Sequence, residues 1–171
     1  MDARFYLSCF NNLQCVADHH YRPAVEEYKS AFDDWNVPGI LATWAECIGE
    51  EVDRPISLVI WGPSRMGKTE WSRSLGSHVF MSGMFDLSLW RDDCDYIVFD
   101  DISFTSMDFF KCWFGAQKEF SVTDKYMRKH SIRQGKPCIG CFNRDIRLDN
   151  WADIKWMELN CLFVNIVDKL F

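Results

Sequence analysis

Positions 62–69 read GPSRMGKT, two glycines, a lysine and a threonine at the spacing G-x-x-x-x-G-K-[ST]. Each residue type answers a chemical need. Gly62 and Gly67 let the chain curl until its N–H groups converge on phosphate oxygens, with Pro63, Ser64, Arg65 and Met66 as the intervening backbone. Lys68 brings a point charge to the β- and γ-phosphates. Thr69 offers a hydroxyl to Mg²⁺, and the start of the following helix adds its dipole. The expected ligand is therefore a nucleoside triphosphate with Mg²⁺, and ATP is what the resemblance below implies.

A second set of groups lies at the end of YIVFDD, positions 96–101. An apolar strand that ends in two carboxylates delivers them to the carboxyl edge of a parallel sheet, where ligands bind in open α/β folds. Asp100 is read as the Mg²⁺ ligand, through water. Asp101 is read as the group that orients or deprotonates an attacking water. DDCD at 92–95 precedes the strand and so belongs at the opposite edge, as a solvated turn. A third strand-like run, CIGCFN at 138–143, ends in Asn143, whose amide can hydrogen-bond both a γ-phosphate and the attacking water.

Charge points to a separate surface. The chain carries −6 overall, yet residues 104–147 hold nine basic and four acidic groups, a local +5. Within DKYMRKHSIRQGKP at 124–137 lie Lys125, Arg128, Lys129, His130, Arg133 and Lys136, with Tyr126 among them. A basic segment between two catalytic strands can grip a phosphate backbone, so nucleic acid is the expected partner, through Lys125, Arg128, Lys129 and His130; that it is single-stranded DNA is what the resemblance given below implies. Tyr126 and Lys129 also match the tyrosine-x-x-lysine pattern of nicking enzymes. That reading fails for want of a His-hydrophobic-His metal motif: His19 and His20 are adjacent and would face opposite sides of a strand.

The elements that must position these groups follow from hydrophobic patterning. ISLVIW at 56–61, VFM at 79–81, YIVF at 96–99, CIGCF at 138–142 and CLFVNIV at 161–167 read as buried strands. Lys68–Leu75 reads as a helix ending at Gly76, 108–115 as a short helix, and 120–136 as a hairpin or extended excursion. Strands alternating with helices imply an α/β fold with a central parallel sheet. Residues 1–50 read as two or three helices, from apolar positions such as Phe10, Leu13 and Val16, then Ile40, Leu41, Trp44 and Ile48. EEVDRP at 50–55 is the connector. The organisation expected is a helical region over 1–53 and a nucleotide-binding domain over 54–171.

Composition excludes several classes. Hydrophobic residues make up 48% of the 171, enough for a core, so global disorder is ruled out. No apolar run approaches the roughly 20 residues of a membrane span. The start of the chain lacks the pattern of a secretory signal, which places the protein inside a cell. The eight cysteines mostly sit in apolar runs and read as free buried thiols; Cys138 and Cys141 form a lone CxxC without further zinc ligands at matching spacing.

The order of phosphate loop, VFDD, basic insertion and strand-terminal Asn resembles superfamily 3 helicases. The wording of WGPSRMGKTEWSRSLG at 61–76, WFGAQKEFSVTDKY at 113–126, GKPCIGCFN at 135–143, NCLFVNIVDKLF at 160–171 and NLQCVADHHYRP at 12–23 is similar to the replication-associated proteins of small circular single-stranded DNA viruses, genomovirus-like and geminivirus-related. The resemblance implies a P-loop NTPase core of the AAA+-like superfamily 3 type, preceded by a small helical oligomerisation region. It implies an ATP-driven DNA helicase in rolling-circle replication, assembled as a homo-oligomeric ring, usually a hexamer, in a host nucleus. Ring ATPases borrow an arginine from the neighbouring subunit, and Arg144 and Arg147 are both candidates. The family's nicking endonuclease domain is expected to be absent from this chain. Two other readings stay open at this point: a small-molecule kinase whose lid is the basic segment, and an oligomerisation and DNA-binding module without ATPase activity of its own.

Overall fold

The computed structural model describes residues 28–104, 107, 109–123, 129–133, 135–149 and 153–171. Five runs predicted as buried strands form one parallel sheet. They are β1 (Ser57–Trp61), β2 (His78–Ser82), β3 (Tyr96–Asp100), β6 (Cys138–Phe142) and β7 (Cys161–Asn165), in the spatial order β2-β3-β6-β1-β7. The inner strands β1, β3 and β6 are buried along nearly their whole length, as continuously apolar sequence requires of a sheet covered on both faces.

Alternation along each strand divides the core in two. Val59, Ile97, Phe99, Cys138 and Phe142 face one side, packed with Trp113, Phe114 and Phe104. Leu58, Ile60, Tyr96, Val98, Ile139 and Cys141 face the other, packed with Trp71 and Leu41. The two cysteines of the CxxC thus lie on opposite faces of β6. Cys138 donates to the Trp113 carbonyl and Cys141 contacts the Ser72 hydroxyl, so they cannot share a metal. Among the described residues no group of three metal-binding side chains gathers, and no helix is long and apolar enough to cross a membrane.

The helices are α1 (Gly39–Glu46), α2 (Lys68–Arg73), α3 (Phe110–Phe114) and α4 (Ile154–Asn160). Helical spacing predicted helix through residue 50. The first 27 residues of that region lie outside the described ones, and residues 28–38 are irregular. Their backbone is engaged elsewhere: the Asn36 amide donates to the Leu170 carbonyl at 2.8 Å. α1 starts after Pro38, which cannot continue a helix backwards, and buries Leu41 against Leu58 and Ile60. α2 stops earlier than predicted, at Ser74, whose hydroxyl donates to the Trp71 carbonyl. α4 and two 3₁₀ turns, Leu87–Leu89 and Ile146–Leu148, were not predicted. The 3₁₀ turns are started by Asp86 and Asp145, whose carboxylates accept from the amides two residues on.

The basic excursion is a hairpin, as predicted. β4 (Glu119–Val122) pairs antiparallel with β5 (His130–Arg133), burying Phe120, Val122 and Ile132. Its residues 124–128 lie outside the described ones.

After β7 the chain crosses back over the glycine-rich loop at 62–69. Ile166 donates its amide to the Trp61 carbonyl at 2.7 Å, and Leu170 donates to the Met66 carbonyl at 3.0 Å. At Gly62, φ is +153°, and a Cβ there would sit 2.2 Å from the Ile166 carbonyl oxygen. Only glycine admits both the backbone angle and the approach. Gly62→Ala is therefore expected to destabilise the fold by about 2 kcal/mol or more, since loop and tail must part; urea unfolding checks this.

Candidate functional site

Parallel register brings the predicted groups to one edge. Trp61 lies opposite Phe142 and Asp100 opposite Cys141, so the residues that follow, Gly62, Asn143 and Asp101, leave the sheet side by side. The Asp101 amide donates to the Cys141 carbonyl at 2.9 Å, and φ at Asp101 is +50°. Aspartate is one of the few residues that adopt this conformation at modest cost, and strain of this kind gathers where a side chain must be aimed.

The side chains then connect. Lys68, only 6% exposed, donates to the carbonyls of Gly62 at 2.9 Å and Pro63 at 2.7 Å, and lies 3.4 Å from Asn143 Oδ1. Thr69 Oγ1 donates to Asp100 Oδ1 at 2.8 Å, and Ser82 Oγ lies 3.3 Å from Asp100 Oδ2. Asn143 Nδ2 donates to Asp101 Oδ2 at 2.6 Å. Lys68, Thr69, Asp100, Asp101 and Asn143, together with Ser64, Arg65, Met66, Gly67, Glu70, Cys141 and Phe142, line a pocket of about 260 Å³. A second pocket, of about 200 Å³, adjoins it at Asp101 and Asn143 and continues past Phe104, Ile146, Arg144 and Asp149.

Burial lowers the Lys68 pKa, with the nearby acids pulling it back upward. Asp101 is held above the ordinary carboxylate range, first by partial burial and then by the Asp100 charge, against Lys68 and the Asn143 hydrogen bonds. As donors, Thr69 and Asp100 are a hydroxyl and a carboxylate already in contact, the hard oxygen set that suits Mg²⁺.

Sequence reasoning placed both arginine candidates near this edge without their partners. Arg144 pairs with Asp149 through both guanidinium ends, one at 2.9 Å, and its side chain is 68% exposed. Arg147 is bound by both oxygens of Asp145 and lies over the Trp61 and Phe163 rings, at 4.7 and 5.2 Å from their centres. Of the basic segment, Lys129 and His130 are exposed at the start of β5, while Lys125 and Arg128 lie outside the described residues. Arg133 pairs with Glu119 at 3.4 Å, and Lys136 donates to the carbonyls of Asp92 and Cys94. These two cations hold structure. The base of the hairpin, with Lys118, Arg133, Gly135 and Lys136, lines a groove with Asp95 and Pro137, which precede β3 and β6 and so lie at the edge of the sheet away from the loop at 62–69.

Three contributors were not foreseen. Glu70 directly follows Thr69 and was legible from that position alone. Ser82 reaches Asp100 because the two are register partners on β2 and β3. Tyr28, 42 residues before Glu70, donates its hydroxyl to the Glu70 carboxylate, and no sequence signal announced it.

Residues 3–71 match the family described as the Geminivirus rep protein central domain. The chain is also similar to the replication-associated protein of Tobacco yellow dwarf virus (strain Australia), 41% identical over 112 residues, covering 62% of this chain and 32% of that one. Against the replication-associated protein of Bean yellow dwarf virus it is 35% identical over 140 residues, covering 78% of this chain and 42% of the relative. For that of Maize streak virus genotype E (isolate Pat) the figures are 35% over 136 residues, 75% and 36%. The chain is thus related to the geminivirus replication-associated proteins, and it spans less than half the length of these relatives.

The raised Asp101 pKa fixes the sign of a stability effect. The unfolded chain releases this proton first, so the folded state loses stability as pH rises from the ordinary aspartate value to the raised folded one, and the penalty stays in place above it. Asp101→Asn keeps the Asn143 contact possible and removes the charge. It is expected to raise the thermal midpoint at pH 7, by an amount that shrinks as pH falls through the carboxylate range. Melting curves of both proteins from pH 3 to 8 check this.

Proposed function

We propose that this chain is an ATP-hydrolysing DNA helicase module of a viral replication-associated protein, acting in rolling-circle replication of circular single-stranded DNA. One observation carries the reading: Lys68, Thr69, Asp100, Asp101 and Asn143, drawn from three separate stretches of sequence, meet in one pocket at the carboxyl edge of a parallel sheet. In this reading the backbone of residues 62–67 wraps the phosphates and Lys68 leaves the loop carbonyls to meet them. Thr69 and Asp100 would hold Mg²⁺, which when bound screens the phosphate charge. Asp101 orients or deprotonates water, and Asn143 stands between that water and the γ-phosphate. The relatives' shared name supports the setting, and the working environment proposed is the host nucleus, with assembly into a ring.

The hairpin supports DNA over a small acceptor. A kinase lid has to close over the phosphate loop, whereas the base of this basic segment is anchored at the sheet's other edge by Lys136 and the Asp92 and Cys94 carbonyls. From there Lys129 and His130 can meet a single strand passing the molecule.

Lys68→Ala is expected to fold as the parent does and to lose at least about tenfold in ATP affinity, because the phosphates lose a charge-assisted partner. Titration calorimetry with Mg-ATP reads this, beside an ATPase assay with and without single-stranded DNA. An unchanged affinity in a folded variant would remove the phosphate-loop assignment.

Lys129→Ala tests the DNA contact. It should weaken single-stranded DNA binding largely without regard to base sequence, and lower the slope of log affinity against log salt by roughly 0.7. Binding isotherms at several salt concentrations measure both quantities; identical slopes would reduce Lys129 to surface charge.

A further inference from the structure

The phosphate pocket is too small for a whole nucleotide. Its 260 Å³ falls below the roughly 300–1,000 Å³ of sites that enclose small molecules, so a base and sugar must lie beyond one end. At one end stand Asp101 and Asn143, with the second pocket behind them, and that end is the approach for water. Met66 in the loop and Glu70 in the first turn of α2 also line the pocket, on the loop side.

Aromatic rings form a collar beside these loop-side residues, against Glu70 and Gly67. Tyr28 donates its hydroxyl to Glu70, while its ring covers the Arg73 guanidinium at 3.8 Å, which rests on Phe80 at 4.0 Å on its other face. Burial, then Glu70, pushes the Tyr28 hydroxyl up to about 12, which keeps it a donor at neutral pH. Phe171 lies behind the loop: a Cβ on Gly67 would come 2.7 Å from its ring. Phe32 stacks on Phe171 with centres 4.0 Å apart and planes at 20°, and Trp35 meets Phe32 edge to face. Leu170 is hydrogen-bonded to both Met66 and Asn36, so tail, loop and the 32–36 segment form one unit. A core would cover such rings; here Phe171 remains 41% exposed and Phe32 and Tyr28 half-buried.

Resting on the nucleotide-site reading above, we infer that Tyr28, Phe32 and Phe171, with Met66 and Glu70 beside them, form the base subsite, and that it takes a purine. A planar base gains most from open aromatic surface, a purine offers more ring to it than a pyrimidine, and the Glu70 carboxylate is placed to accept from an exocyclic amine. The groups that meet the phosphates and their Mg²⁺, the loop backbone, Lys68, Thr69, Asp100 and Asn143, are satisfied by any nucleoside triphosphate, so selection among bases falls to this collar.

The test compares Mg-ATP, Mg-CTP and magnesium tripolyphosphate, which has no base, binding to the full chain by calorimetry. Phe32→Leu keeps apolar bulk and removes the ring; Tyr28→Phe removes only the hydroxyl. Phe32→Leu is expected to lose about tenfold in ATP affinity, leave tripolyphosphate unchanged and erase the preference for ATP over CTP. Tyr28→Phe is expected to lose a smaller factor, again for ATP alone. If Phe32→Leu lowers ATP and tripolyphosphate equally, or neither, the collar is only a buttress and the inference is overturned while the phosphate site stands. If the parent chain binds neither ATP nor tripolyphosphate, the phosphate reading fails first and this one with it.

Discussion

An ammonium group taken out of water costs several kcal/mol unless oxygens replace its hydration shell. Lys68 meets this demand with the Gly62 and Pro63 carbonyls and, farther off, the Asn143 side-chain oxygen. Those carbonyls can point inward only because the loop turns back on itself, and it can turn only because Gly62 gives way to the Ile166 carbonyl. The buried charge therefore sets terms for the whole edge: a glycine at 62, a tail that seals the loop from behind, and acids near enough to favour the charged form. Phosphate oxygens would satisfy the same ammonium at least as well as carbonyls do.

The sheet does the rest through register. Three strands far apart in sequence end level with one another, and this alone turns Asp100, Asp101 and Asn143 from strand ends into neighbours. Each acid is then assigned a separate environment. Asp100 is held by two hydroxyls, those of Thr69 and Ser82. Asp101 leaves the strand in a left-handed turn, partly buried beside its neighbour's charge, and bonds an amide. Two adjacent carboxylates with different surroundings can do different chemistry, which is the pattern expected where one binds metal and the other handles a proton.

How much of this was legible depended on the range of each interaction. The five strands and the hairpin are written locally, in apolar runs, and each lies close to where patterning put it; the glycine spacing at 62–69 likewise marks a tight turn between β1 and α2. The strand-terminal residues were legible as a series because their chemistry is complementary. What patterning could not supply were contacts fixed by register or by tail packing: Ser82 on Asp100, Tyr28 on Glu70, and Phe171 behind Gly67. Residues 28–38 show the same lesson in reverse. Their spacing suits a helix, yet the Asn36 amide is taken by Leu170, and a long-range bond displaced a local preference. α4 escaped notice because seven residues running straight into β7 offer neither cap nor full period.

The same distinction separates the two arginines next to the site. An arginine that serves a neighbouring subunit must be able to exchange its partner for a phosphate without unmaking its own fold. Arg147 cannot do so cheaply: Asp145 chelates it, and the same Asp145 caps the 3₁₀ turn while the guanidinium rests on Trp61 and Phe163. Removing it would loosen the turn and uncover two rings. Arg144 has a single carboxylate partner at the surface and stands at the mouth of the pocket that adjoins Asp101 and Asn143. A surface ion pair of this kind is weak, so it is broken at little cost. Arg147 therefore braces the site, while Arg144 gives up its partner the more readily of the two.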